Sequence, residues 1–270
     1  VSTLPGGGSL AVITGASSGI GATFARHLAA QGYDLVLVAR RKDRLEQQAQ
    51  EIQSTYPVRA EILPADLTRE VELKTVENYI AGASNLEFLV NNAGFGITGL
   101  FFSVPVEGQD QMHRLHVLAP MRLMHAALAG MVARGHGNII NVSSVSGFGQ
   151  NPGSISYSAT KTWMTSFTEG LHMELRSVGS AVRVQALCPG FTLSEFHDTM
   201  PFDRKKIPAW MWMTADEVVS DSLRGLDRGQ WIVVPGWRYR LLAALMRAFP
   251  RPLYHALSIK YARATGRDKP

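Results

Sequence analysis

One cysteine in 270 residues, Cys188, excludes an intrachain disulfide and any metal site built on paired cysteines. It closes the apolar run VRVQALC, where a buried structural thiol is the expected role. A reducing compartment, the cytoplasm, is the expected location, and no metal is expected. The chain lacks any uninterrupted run of about 18 apolar residues, so no segment reads as a membrane span. Its first residues, VSTLPGGGS, lack the basic and apolar regions of a secretory leader. No Pro/Gly/Ser-rich linker divides the middle, and there is no internal repeat or low-complexity stretch. Charged residues are sparse at 18% against 46% hydrophobic, which suits one α/β domain with a large core. No recognition motif for nucleic acid is present, and none is expected as a partner.

What is present is alternation. Apolar runs at 10–14, 35–39, 58–63, 87–91, 138–143, 182–188 and 231–235 read as strands. Periodic stretches near 19–31, 42–54, 69–81, 108–133, 155–178 and 214–228 read as helices. Such an order predicts one doubly wound parallel sheet of about seven strands with helices on both faces. Residues 1–235 form this domain, and 236–270 are an extension of it.

Two motifs carry chemistry. Tyr157 and Lys161 lie four residues apart in SISYSATK, one helical turn, so both project from the same face. An ammonium group beside a phenol favours phenolate and is expected to lower the tyrosine pKa from about 10 toward working pH. That is what a general acid/base needs. Ser144, thirteen residues upstream in NIINVSSVSG, ends a buried strand and can set a hydroxyl against the oxygen that Tyr157 protonates. The second motif is AVITGASSGIGATFARHLAAQG, a strand, a glycine turn and a helix. Gly15 permits the turn, Gly19 lets the backbone approach a pyrophosphate, and Gly21 lets the helix pack on the strand. Amides at the helix start receive phosphate. This gives the sheet a Rossmann-like, dinucleotide-binding character.

With TGASSGIG (14–21), NNAG (91–94), Ser144–Tyr157–Lys161 and the PG of CPGFT (188–192) in this order, the chain resembles the short-chain dehydrogenase/reductase family over roughly residues 9–235. The resemblance implies that Tyr157 is the acid/base and that Ser144 orients the carbonyl. It implies that Lys161 both tunes the tyrosine and holds the nicotinamide ribose. Ser17, Ser18 and Ile20 would share the glycine turn's cofactor contact. Asp66 and Leu67 would meet adenine, although Asp66 also reads as a helix N-cap. Asn92, Ala93 and Gly94 would line the adenine-ribose side, and Pro189, Gly190 and Thr192 the nicotinamide. Where an acid would hold the ribose hydroxyls of NAD, 18 residues after Gly21, this chain has Ala39, then Arg40 and Arg41. A guanidinium pairs with a 2′-phosphate where a carboxylate repels it, so the expected cofactor is NADP(H). The two arginines also read as the start of a charged helix face.

His116 departs from the family, which usually has asparagine there to hold a water linking the catalytic lysine to solvent. Pro120 has no amide to donate to the His116 carbonyl, which favours a surviving water site. The active reading makes His116 part of the proton relay, with imidazole replacing carboxamide; the other makes it a packed core histidine. A third reading is that the change silences the enzyme.

The segment 191–213 reads as a lid, or else as core packing. Phe191, Phe196 and Trp210 in it, with Phe95 and Phe148, are expected to flank a bulky apolar carbonyl or alcohol. Lys205 and Lys206 are its basic pair, suited to an acidic carrier or coenzyme A. Residues 236–270 carry a net +7 and the remainder −2. The two amphipathic stretches there are expected to dock on a subunit or cap the pocket, with an anionic membrane surface as the other candidate. Family members commonly pair, so a homodimer or homotetramer is expected. The activity expected is hydride transfer between NADP(H) and a hydrophobic ketone, steroid-like or 3-oxoacyl substrate. An epimerase or dehydratase using the same Tyr–Lys pair is a second possibility within the fold. The alternative from another class is an idle NADPH-binding regulator or scaffold.

Overall fold

The computed structural model describes residues 8–195 and 207–265. Phe196, Lys205 and Lys206 lie outside the described residues. Seven parallel strands form one sheet in the order β3-β2-β1-β4-β5-β6-β7. They are β1 (Leu10–Thr14), β2 (Asp34–Ala39), β3 (Ala60–Pro64), β4 (Leu86–Asn91), β5 (Asn138–Val142), β6 (Arg183–Leu187) and β7 (Ile232–Val233). The helices between them are α1 (Gly19–Ala30), α2 (Lys42–Thr55), α3 (Glu70–Gly82), α4 (Val106–His113), α5 (Ala119–Arg134), α6 (Ile155–Ser177) and α7 (Ala215–Asp227). The chain closes with α8 (Trp237–Ala248) and α9 (Arg251–Thr265).

Strands β1 and β5 are buried throughout, as parallel strands covered on both faces must be. Alternate residues of β1 feed two separate cores. Leu10 and Val12 pack with Leu73, Val76 and Ile80 of α3 and Leu123 and Met131 of α5. Ala11 and Ile13 pack with Phe24 and Leu28 of α1, Leu45 and Ile52 of α2 and Val218 of α7. The α4–α5 stretch, Val106–Arg134, is apolar and long enough to cross a membrane by composition alone. Its Met112, Leu123, Met124, Ala127 and Met131 are buried in this protein.

Two boundaries differ from expectation. The helix expected over 108–133 is interrupted by a π-helical turn, Arg114–Leu118, in which the Ala119 amide donates to the Arg114 carbonyl. Pro120 accounts for it: with no amide at that position, the ladder resumes in a new register. The last strand is only two residues long, because Gly236, at φ 75°, turns the chain into α8.

That helix and α9 fold back on the body of the chain. Tyr254 Oη donates to the Gln150 carbonyl at 3.2 Å. The Arg247 guanidinium sits 4.6 Å from the Phe148 ring centroid. The extension thus docks beneath the turn that follows β5.

Among the described glycines, Gly21 makes the tightest approach to backbone. A Cβ there would lie 2.3 Å from the Gly15 carbonyl oxygen and 2.5 Å from Asn92 Nδ2. Gly170, exposed within α6, has nothing within 4 Å of a Cβ. Gly21→Ala should therefore cost about 1–3 kcal/mol in urea unfolding, whereas Gly170→Ala should gain about 0.4–1 kcal/mol. Equal effects at the two sites would contradict this account.

Candidate active site

Neighbours of β1 on either side are β2 and β4, so the chain leaves β1 in one direction and returns in the other. Ligand crevices form at such a reversal, outside the carboxyl ends of the strands. Here a cleft of about 570 Å³ opens at the ends of β1, β2, β4 and β5.

At its outer end lies the glycine turn. Gly15 and Gly19 take φ of 65° and 55°, left-handed values that suit glycine. Gly15, Ser17, Ser18, Gly19 and Ile20 all line the cleft, while Gly21 packs behind them. Arg40 and Arg41 line the same end and are exposed. Arg41 Nη2 donates to Ser17 Oγ at 3.0 Å and to Ser18 Oγ at 3.1 Å. Asp66 and Leu67 form the wall after β3. Asp66 Oδ1 accepts from the Thr68 amide at 3.0 Å and hydroxyl at 2.8 Å, which shapes the turn. It is not the N-cap of α3; Arg69 holds that position.

Asn92, Ala93 and Gly94 line the middle of the cleft. Asn92 Nδ2 donates to the carbonyls of Thr14 at 3.0 Å and Gly15 at 3.2 Å, tying β4 to the glycine turn. A Cβ on Gly94 would lie 2.8 Å from His116 Nε2.

Ser144, Tyr157 and Lys161 converge at the inner end. Ser144 follows β5 and caps the 3₁₀ turn Val145–Phe148, its Oγ accepting from the Ser146 amide at 3.1 Å. The Ser144 hydroxyl is then directed at Tyr157, whose phenol it lowers by hydrogen bonding. Burial is the larger influence and pushes Tyr157 up to about 12, although part of its surface faces the cleft. The expectation of a phenol acidified by its lysine neighbour is therefore corrected. Lys161 Nζ lies 5.7 Å from the Tyr157 ring centroid and donates to the Val142 carbonyl at 2.8 Å. Desolvation brings Lys161 itself down to about 8. Placement was legible from spacing, but the sign of the tyrosine shift depends on burial.

His116 is fully buried and does not line the cleft. Its Nε2 accepts from the Phe95 amide at 3.1 Å, so Nδ1 carries the proton and donates to Thr160 Oγ1 at 3.0 Å. Thr160 Oγ1 in turn donates to the Tyr157 carbonyl at 2.9 Å. Both ring nitrogens are used, which leaves none for a relay water. Burial first, then the Lys161 charge, holds the imidazole pKa well below 6.5. The imidazole itself is thus a neutral strut between the NNAG loop and α6 rather than the holder of a relay water.

Of the aromatic residues expected around the substrate, Phe95 and Phe191 line the cleft. Phe148 and Trp210 do not: Phe148 turns under Arg247, and Trp210 is exposed beside Arg238, 5.6 Å from its ring. Arginines of the extension draw both rings away from the cleft. Pro189, Gly190 and Thr192 complete the inner wall.

Tyr239 of α8 went unnoticed in the sequence. Its Oη accepts from the Phe191 amide at 3.0 Å and donates to the Met211 carbonyl at 2.6 Å. Its ring lies against Gly190, where a Cβ would come within 2.0 Å of it. Thr192 and Met213 are bridged as well, so both feet of the 191–213 segment are pinned. One tyrosine between two arginines at the start of a helix gives no signal in sequence.

Residues 9–204 match the family model described as short chain dehydrogenase. A very-long-chain 3-oxoacyl-CoA reductase of Macaca fascicularis is 31% identical over 264 residues, 93% of this chain and 83% of its own. The solved structure of a short-chain dehydrogenase from Sphingobium yanoikuyae in complex with NADPH superposes with a TM-score of 0.80 at 34% identity, covering 96% of this chain and 95% of that one. A bulky-bulky ketone specific alcohol dehydrogenase from Comamonas testosteroni gives a TM-score of 0.76 at 30% identity, covering 97% and 95%.

The chain is a short-chain dehydrogenase/reductase. Such an enzyme is an oxidoreductase of small carbonyl and alcohol substrates with a nicotinamide cofactor. The cleft of this short-chain dehydrogenase/reductase fits a dinucleotide by its glycine cradle and by the donors at its outer end.

A neutral buried histidine ties stability to pH. With its folded pKa below the unfolded value near 6.5, His116 favours folding above about pH 6.5, and that contribution is lost as pH falls below it. His116→Asn should lower the melting temperature at pH 7.5 and flatten its fall between pH 6.5 and 5. It should leave the acid limb of the pH–rate profile unmoved. A displaced acid limb would restore the relay.

Proposed function

We propose that this chain is an NADPH-dependent carbonyl reductase acting on bulky hydrophobic ketones, with 3-oxoacyl and steroid-like compounds as the substrate classes to test. The observation that carries the reading is one cleft with two unlike ends. Arg40 and Arg41, with no carboxylate at the end of β2, face one end. Ser144, Tyr157 and Lys161 face the other, beside Phe95, Ile97, Leu115 and Phe191.

When bound, the cofactor supplies a hydride to the carbonyl carbon. Ser144 and Tyr157 donate hydrogen bonds to the carbonyl oxygen, and Tyr157 gives it the proton. A phenol pushed up to about 12 stays protonated through the working range, which suits reduction better than alcohol oxidation. Lys161, near 8, holds a proton in reserve at neutral pH beside that phenol. Pro189, Gly190 and Thr192 would bound the nicotinamide end, and Asn92 to Gly94 the ribose side. Phe95, Ile97, Leu115 and Phe191 make the wall beside the reacting centre apolar. Apolar lining also supports a bulky substrate, as do the names of the reductase and the ketone dehydrogenase it is similar to. The same reading has the enzyme in the cytoplasm as a homodimer or homotetramer. Exposed Met121 and Val132 on α5 and Met173 on α6 support a paired state.

NADPH and NADH should be compared by nicotinamide fluorescence, then by turnover on hydrophobic ketones. NADPH should bind more tightly, and Arg41→Ala should weaken it roughly 10- to 100-fold, the worth of a charged hydrogen bond. Reduction should fall as pH rises through about 8, where Lys161 loses its proton. Tyr157→Phe should lose roughly 10²- to 10⁴-fold in kcat with cofactor binding intact. No turnover on any ketone in either protein would favour the regulator instead.

A further inference from the structure

Of the two arginines at the outer end of the cleft, Arg41 is already paired with an anion of the chain. Glu195 follows the Pro189–Thr192 wall and reaches the glycine turn. Its Oε2 accepts from Arg41 Nη1 at 2.9 Å, and its Oε1 lies 3.9 Å from Arg44 Nη1. The hydrogen bond from Arg41 holds the carboxyl below its usual range, and Ser18 adds another. Arg41 meanwhile donates to Ser17 and Ser18. Arg41 and Ser18 therefore both donate to one carboxylate, with the Arg44 charge close by, at the point where NADPH would set its 2′-phosphate. Asp66, the other acid among the described residues that line the cleft, is turned to Thr68.

We propose that Glu195 is a built-in competitor for the cofactor's 2′-phosphate, and so a specificity-determining residue that acts through Arg41. This inference rests on the assignment of NADPH. Arg41 and Glu195 are 45% and 41% exposed, and an exposed pair of this kind is weak. A phosphomonoester brings up to two charges and three acceptor oxygens. It displaces the carboxylate from Arg41, and affinity is reduced by the contacts Glu195 gives up. A cofactor with a bare 2′-hydroxyl has no charge to exchange and leaves Glu195 in place. The residue therefore narrows the gap between NADPH and NADH without touching the reacting atoms.

The test uses the full chain and two fragments, 2′,5′-ADP and 5′-AMP, titrated by calorimetry against wild type, Glu195→Gln and Glu46→Gln. Glu46 is a surface carboxylate paired with Lys42 and reports any general loss of charge. Glu195→Gln should tighten 2′,5′-ADP roughly two- to fivefold and leave 5′-AMP unchanged, and the gain should shrink at high salt. Glu46→Gln should change neither. Unchanged or weaker 2′,5′-ADP in Glu195→Gln would overturn the proposal, since Glu195 would then be idle or would hold Arg41 in place for the phosphate. Equal tightening of both fragments would overturn it too. The wild-type ratio of the two fragments tests the NADPH assignment separately: wild type without preference beside a Glu195→Gln that gains one would defeat that assignment and uphold the competitor.

Discussion

Thr14 and Asn92 hold the ends of two neighbouring parallel strands together, and the whole cleft depends on that junction. Thr14 Oγ1 accepts from the amides of Asn92 at 2.9 Å and Ala93 at 3.1 Å, and donates to the Val90 carbonyl at 3.3 Å. Asn92 answers by donating to the carbonyls of Thr14 and Gly15. β1 and β4 part here to opposite sides of the sheet, so their last backbone groups lack strand partners. Side chains satisfy them instead, as buried polar groups require. The glycine turn has its shape because Asn92 fills the space behind it.

A second set of polar links carries that order to the reacting end. Asn91 donates to Asn141 at 2.9 Å, and Asn141 to Thr168 of α6 at 2.9 Å. Ser143 Oγ donates to the Lys161 carbonyl at 2.8 Å. Lys161 donates to Val142, and His116 joins the NNAG loop to Thr160. Helix α6 is thus fixed to the sheet and to the loop by hydrogen bonds rather than by apolar packing alone. Directional bonds hold Ser144 and Tyr157 in register, which catalytic geometry needs.

Much of this was legible in the sequence because it rests on short-range patterns. Apolar runs and helical periodicity place the seven strands and the helices between them to within two or three residues. Glycine spacing finds the turn, and a four-residue step brings Tyr157 and Lys161 together. What escaped depends on distant segments. The tyrosine shift has the opposite sign from the one expected, since burial outweighs the hydrogen bond from Ser144, while the lysine donates to the Val142 carbonyl. Phe148 and Trp210 read as cleft residues until arginines of α8, about a hundred residues from the first, draw them aside. Tyr239 and Glu195 carry no motif at all; only the fold brings them to Phe191 and Arg41.

The two ends of the cleft also obey different electrostatics. Arg41 and Glu195 sit in solvent, where a charge pair is weak, screened by salt and easily exchanged. That suits a place where a charged ligand arrives and leaves. Lys161 is 4% exposed and Ser144 8%, so an unpaired charge among them is costly. Burial lowers the lysine and raises the tyrosine, and both shifts move away from the charged form. Between the two ends run backbone amides and glycines, which can bind without contributing a charge of their own. Net charge is thereby kept at the wet end, and groups that burial holds toward their neutral forms at the dry one.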